Sequence, residues 1–364
     1  MRMNGDVLLV GSIPGSDAED AMRVCAQGIG DHLPCIPDGE TGFRKIWINF
    51  LASQTYDGNP ALHTLNRPSP VDSSDPNEWR APDEDWVPRG YDDHWQFRIK
   101  DGADLQFSEL GYAKEARLSY ASFTQLKAEG LLGPEVRFMV AMPLAESATR
   151  PFTASADDFP VMMAAYEEAA AREIESMLND IPAGELVIQW DICMEVLAIE
   201  CDDSHEGIFP WRPVAKPFDR YLQAVTRAAG FVPDEVAMGL HLCYGDLGHR
   251  HLIEPPDLSN CVRMANAAHA AITRPIDFYH VPVPKDRADD AYFEALSGLE
   301  IGDGRLYIGL VHHTDGIEGS LARLDVAKRY ARNFGVATEC GFGRRPRDTI
   351  GHLLEIHRAV AEAL

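Results

Sequence analysis

Residues 236–243 read VAMGLHLC, a short apolar run that closes on two side chains able to bind a metal, His241 and Cys243. Its length and its lack of polar alternation are those of a strand buried on both faces, as in a parallel sheet covered by helices. Runs of the same kind lie on either side. Before it come 7–12 (VLLVGS), 32–36 (HLPCI), 136–142 (VRFMVAM) and 186–193 (LVIQWDIC); after it come 276–281 (IDFYHV), 306–313 (LYIGLVHH) and 336–340 (VATEC). Helix-length stretches separate them. In one, Tyr166, Ala170, Ile174, Met177, Leu178 and Ile181 fall on one helical face before the breaker at 182–184. A last helix is expected from a cap at Asp348 or Thr349, with Ile350, Leu353, His357 and Leu364 on its inner side. Eight strands alternating with helices predict an α/β chain folded as one (β/α)8 TIM barrel over 1–364.

The stretch 38–132 is too long for an ordinary crossover between the second and third strands, and 78–102 (EWRAPDEDWVPRGYDDHWQFRIKDG) has no clean period. It reads as an insertion over one barrel end, able to act as a lid, as a source of substrate contacts or as an oligomer-forming loop. Formal net charge is −24 with no Lys/Arg-rich run, which argues against nucleic acid and anionic membranes as partners. No segment approaches a bilayer-spanning length, and the first residues do not read as a signal peptide, so a cytoplasmic location is expected. Seven irregularly spaced cysteines do not form a disulfide framework. Cys25, Cys201 and Cys261 fall in helices or loops and read as inert; Cys35 and Cys193 are open to either reading.

Active sites of such barrels lie at the C-terminal ends of the strands. Those ends carry Asp191 and Cys193, His241 and Cys243, His280, His312 and His313, then Glu339 and Cys340. Residues i and i+2 of a strand share a side, so His241 and Cys243 can face one ion while Leu242 turns away. Barrel closure brings Cys340 to them, and one nitrogen with two sulfurs is a zinc donor set. Two thiolates weaken the metal as a source of hydroxide yet leave it able to deprotonate a third thiol, which favours alkyl transfer over hydrolysis. Arg344 and Arg345, just past Cys340, are candidates for holding an anionic substrate group.

Four short segments, 10–14 (VGSIP), 188–191 (IQWD), 241–244 (HLCY) and 340–341 (CG), together resemble the cobalamin-independent methionine synthase family, within the superfamily that includes uroporphyrinogen decarboxylase. The resemblance implies zinc held by His241, Cys243 and Cys340, Asp191 placed where the family contacts a substrate amino group, and Ser12 on a loop at the substrate pocket. The family's fourth ligand is a Glu, where this chain offers His280. An acidic residue and proline that follow the family's Asp are replaced by Ile192 and Cys193. A catalytic His after the seventh strand corresponds to His312 or His313, with Asp315 a further candidate. The expected activity is zinc-dependent alkyl or methyl transfer to a small thiol, with a corrinoid protein as one candidate partner. Two rivals are a metal-independent decarboxylase or lyase, and a non-catalytic barrel that binds a corrinoid-type partner.

Overall fold

Each of the eight apolar runs contains or overlaps a strand. The computed structural model describes residues 6–68, 94–201, 216–246, 251–343 and 345–364. Its strands are β1 (Val7–Leu8), β2 (Cys35–Pro37), β3 (Leu62–Asn66), β4 (Gln96–Ile99), β5 (Arg137–Pro143), β6 (Leu186–Ile192), β7 (Ala237–Leu242), β8 (Phe278–Pro282), β9 (Arg305–Val311) and β10 (Gly335–Thr338). Eight of them pair in parallel in the order β1-β10-β9-β8-β7-β6-β5-β2, a nearly closed barrel with β1 and β2 at the seam. No described helix is long and apolar enough to cross a membrane.

The barrel interior fixes which side chains point inward. Leu8, Cys35, Met139, Val187, Ala237, Phe278, Tyr307 and Ala337, one from each barrel strand, form an apolar cluster with Val10. Large rings sit opposite small residues: a Cβ on Gly239 would lie 2.0 Å from the Phe278 ring. Because alternate residues share a side, this layer commits Gln189 and Asp191, His241, and His280 to the interior as well. The ladders set them side by side, Asp191 opposite His241 and His241 opposite His280.

Helices cover the outside. Ala18–Ile29 starts on Asp17, whose carboxylate accepts from the Asp20 N–H. Within 38–132, Tyr112–Ala128 is the crossover helix that leads to β5. Its N-terminus is capped from a distance by the buried Glu173 of helix Phe159–Met177, which accepts from the Leu110, Gly111 and Ala113 N–H groups. The described residues before it include the antiparallel pair β3–β4 and the rings of Tyr56, Phe97 and Phe107, which knot together with the Phe152 ring from beyond β5. Most of the unpatterned stretch 78–102 lies outside the described residues. The last helix, Ile350–Glu362, does begin after Thr349, but that hydroxyl donates to the Pro346 carbonyl instead of capping, and the helix ends early enough to leave Leu364 exposed.

Candidate metal centre

His241 projects inward from the last turn of β7. The Cys243 N–H donates to the Ile192 carbonyl at 3.0 Å, so the ladder runs one residue past the strand and keeps Cys243 on the same side. Cys340 arrives from beyond β10 through an irregularity in its pairing: Val336 lies opposite Ile308, but Thr338 lies opposite Val311. Such a slip re-aims the residues after it. Gly309 makes it possible, because a Cβ there would meet the Glu339 Cα at 2.9 Å and the Thr338 carbonyl oxygen at 3.1 Å. A Gly309→Ala protein is therefore expected to fold and to bind zinc about tenfold more weakly, as Cys340 is pushed off its position. Chelator competition checks this, and unchanged affinity would remove Gly309 from the account.

The Cys243 and Cys340 Sγ atoms are 3.6 Å apart, and Cys340 Sγ is 3.9 Å from His241 Nε2. All three donor atoms lie within 4.8 Å of one another. Zinc bonds of about 2.3 Å to sulfur and about 2.0 Å to nitrogen make tetrahedron edges of about 3.8 Å and about 3.5 Å. The donor set and its spacing fit zinc. Without a metal, the neighbouring Cys193 thiol, and burial after it, hold the Cys243 pKa well above its ordinary value, and a cation reverses that. The same proximity makes the pair oxidisable. Diamide treatment of chelator-stripped protein is expected to join Cys243 to Cys340, with zinc protecting both, as read by peptide mass mapping. Protection by zinc of some other pair would count against this site.

His280 does not join the three. Its Nδ1 lies 2.7 Å from His241 Nδ1 and its Nε2 lies 3.0 Å from the Thr338 carbonyl oxygen, both rings being buried. Of the two alternatives, His280 as a fourth ligand or a site with three protein ligands, this arrangement favours the second, because both His280 nitrogens have partners behind His241. Desolvation holds the pKa of both rings down, that of His280 to about 3, so both are neutral.

A small cavity of about 50 Å³ faces the centre, lined by Ser12, Glu40, Trp47, Asp191, Cys193 and Asp246 among others. Asp191 accepts from Gln189 Nε2 at 2.9 Å and from the Trp47 indole N–H at 3.1 Å, and burial raises its pKa to about 7. Trp47 and Glu40 come from the segment after β2 and both have left-handed backbone, with φ of 29° and 47°. Cys193 packs against Cys243 and Cys340, and its N–H donates to Ser147 Oγ. Ser12 lines the cavity and also pins the loop after Cys340: its Oγ accepts from the Gly343 N–H and its carbonyl from the Phe342 N–H. Gly341 and Gly343 allow that approach, since a Cβ on either would meet Ser12 atoms within 2.7 Å.

The other candidates divide. His312 is buried, with Nε2 2.8 Å from the Val283 carbonyl oxygen and Nδ1 3.5 Å from Glu339 Oε2. Desolvation, reinforced by Arg323, lowers its pKa to about 3. Arg345 lies 3.8 Å from Glu339 and is not among the cavity-lining residues, so it does not stand free for a substrate anion. His313 sets its ring edge-on against that of His352 and is not among the cavity-lining residues. Asp315 is held by Arg323 at 2.6 and 3.0 Å, an ion pair at the start of helix Gly316–Tyr330. Arg344 lies outside the described residues. Sequence reasoning did not single out Glu40, Trp47 or Asp246, whose loops carry no period, and it placed Glu339 at the rim beside Cys340 without giving it a role.

No family model matches the chain, and no curated protein matches it by sequence. Solved structures do match. The B12-independent methionine synthase from Shewanella sp. W3-18-1, in complex with selenomethionine, overlays 98% of its length on 100% of this chain, with TM-score 0.60 and 12% identity. A putative vitamin-B12 independent methionine synthase from Listeria monocytogenes overlays 99% of its length on 100% of this chain, with TM-score 0.58 and 13% identity. At these identities the likeness is one of architecture: over its whole length the chain has the fold of the B12-independent methionine synthase structures.

Proposed function

We propose that the chain is a zinc-dependent alkyl transferase, with methyl as the expected group, that activates a small thiol. The observation that carries this reading is the His241, Cys243 and Cys340 triad, spaced for a tetrahedral ion and opening on a cavity. The fold it shares with the two synthase structures supports it. Zinc held there supplies the positive charge that lets a substrate thiol lose its proton near neutral pH. The chain's own residues do the rest. Asp191 offers a buried carboxylate for a substrate amino group once the Trp47 indole gives up its bond. Ser12 holds the 341–343 loop, and so Cys340, in place. His312, whose Nδ1 lies 3.5 Å from the Glu339 carboxylate of the residue before Cys340, is the candidate for managing the proton released or required by the leaving group.

The cavity lining includes Glu40, Asp191 and Asp246 and, among the described residues, no Lys or Arg. A decarboxylase acting on a carboxylate substrate would need the opposite charge there. A corrinoid protein is one proposed alkyl donor. The deciding experiment is elemental analysis joined to zinc-edge X-ray absorption with and without a thiol such as homocysteine or coenzyme M. About one zinc per chain, with one added sulfur neighbour on thiol addition, is the expected result. Zinc absent from carefully prepared protein, or a first shell that no thiol can enter, would overturn the reading.

A further inference from the structure

His280 occupies the place where the family resemblance implies a ligand, yet it touches the metal centre only through His241. We infer that His280 is a positioning residue that fixes the tautomer of His241, so that His241 presents a bare Nε2 to the two cysteine sulfurs. The inference rests on the metal site proposed above.

The hydrogen-bond directions follow from what each group can do. A carbonyl oxygen only accepts, so the 3.0 Å contact with Thr338 requires a hydrogen on His280 Nε2. Both rings are enclosed, and among the described residues no carboxylate bonds either, so each is a neutral imidazole with one N–H. His280 Nδ1 is then a bare acceptor. The 2.7 Å contact with His241 Nδ1 takes its hydrogen from His241, which leaves His241 Nε2 without one. That nitrogen is the atom 3.9 Å from Cys340 Sγ.

An imidazole in water prefers the other tautomer, with hydrogen on Nε2, which would turn an N–H toward the sulfurs. A metal-binding His ordinarily donates its second N–H to a carboxylate or a carbonyl. Here a second imidazole takes that place and passes the bond to β10. The acceptor, Thr338, lies two residues before Cys340, and its Oγ1 donates to the Cys340 carbonyl at 2.7 Å. One chain of hydrogen bonds therefore runs from the nitrogen ligand on β7 to the backbone that carries the sulfur ligand after β10. The two arms of the site are set before any ion arrives.

The test compares wild type with His280→Leu, which removes both bonds, and His280→Gln, whose amide keeps one donor and one acceptor. Long-range 15N–1H correlation of the zinc-free proteins is expected to show His241 Nε2 bare in wild type and in His280→Gln, and carrying hydrogen in His280→Leu. Zinc affinity by chelator competition is expected to fall about 10- to 100-fold in His280→Leu and to return most of the way in His280→Gln. Hydrogen on His241 Nε2 in the wild type would overturn the inference. So would zinc-edge absorption showing two imidazoles in wild type and one in His280→Leu. The tautomer is read without metal, so failure of this inference is distinguishable from failure of the chain to bind zinc at all.

Discussion

Replacing Cys340 with serine is expected to strip the protein of zinc while leaving its fold intact. Structural zinc sites bind with about 10–16 kcal/mol spread over four ligands, so one thiolate is worth about 3 kcal/mol, about 150-fold in dissociation constant. Cys340 is partly exposed and lies in the loop after β10, with its neighbour Phe342 tied to Ser12 through the backbone. Serine at that position disturbs no core layer, so the melting temperature of metal-free protein should move little. Cys243→Ser is expected to lose zinc equally, and each variant should lose thiol alkylation with its metal. Elemental analysis after dialysis, with circular dichroism as the folding control, checks both. If both variants keep stoichiometric zinc, the metal lies elsewhere and the triad is an ordinary cluster of buried thiols. If a structural zinc were present with all four positions taken by protein, the metal would be lost but wild-type zinc would gain no sulfur from added thiol. That outcome favours the binding-module reading.

The parts of this architecture that were legible in the sequence are those governed by a period. Buried parallel strands are continuous apolar runs, and even the short ones at β2 and β8 are legible beside their neighbours. The i, i+2 rule placed His241 with Cys243, and barrel closure brought Cys340 to them. What no period encodes was missed. Trp47 reaches Asp191 across 144 residues of sequence from an irregular loop. Arg323 claims Asp315 because the helix after β9 turns its face back toward the strand end, a consequence of packing that a list of polar residues cannot show. His280 was placed at this rim with its role left between ligand and bystander, since a ligand and the partner of a ligand have the same residue type and differ only in where two nitrogens point. The same limit applies to Arg345, whose neighbour Glu339 is visible in the sequence but whose approach to it is not.

His357 should make the metal-free protein sensitive to acid in a window set by its burial. The ring is fully enclosed in helix Ile350–Glu362, its Nδ1 2.8 Å from the Leu353 carbonyl oxygen and its Nε2 with no hydrogen-bond partner among the described residues. Desolvation lowers its pKa from 6.5 to about 4. The sign is fixed by which state takes the proton first. Above pH 6.5 neither state is protonated and no stability is at stake. As the pH falls from 6.5 toward 4, the unfolded chain gains a proton that the folded chain refuses, so stability falls with falling pH and the loss levels off below 4. At 1.36 kcal/mol per unit, the loss from this one group reaches about 2.5 kcal/mol near pH 4.5. The ring also lies 6.3 Å from that of Phe342, in the loop that follows Cys340, so protonation loosens the support of the metal centre along with the helix. Urea unfolding of chelator-stripped, reduced protein at several pH values, wild type beside His357→Leu, isolates the effect, because the other buried histidines titrate in both. The wild type is expected to lose about 2.5 kcal/mol more than the variant between pH 7 and pH 4.5. Parallel curves would mean that His357 accepts its proton in the folded state through an opening that the enclosed ring does not show.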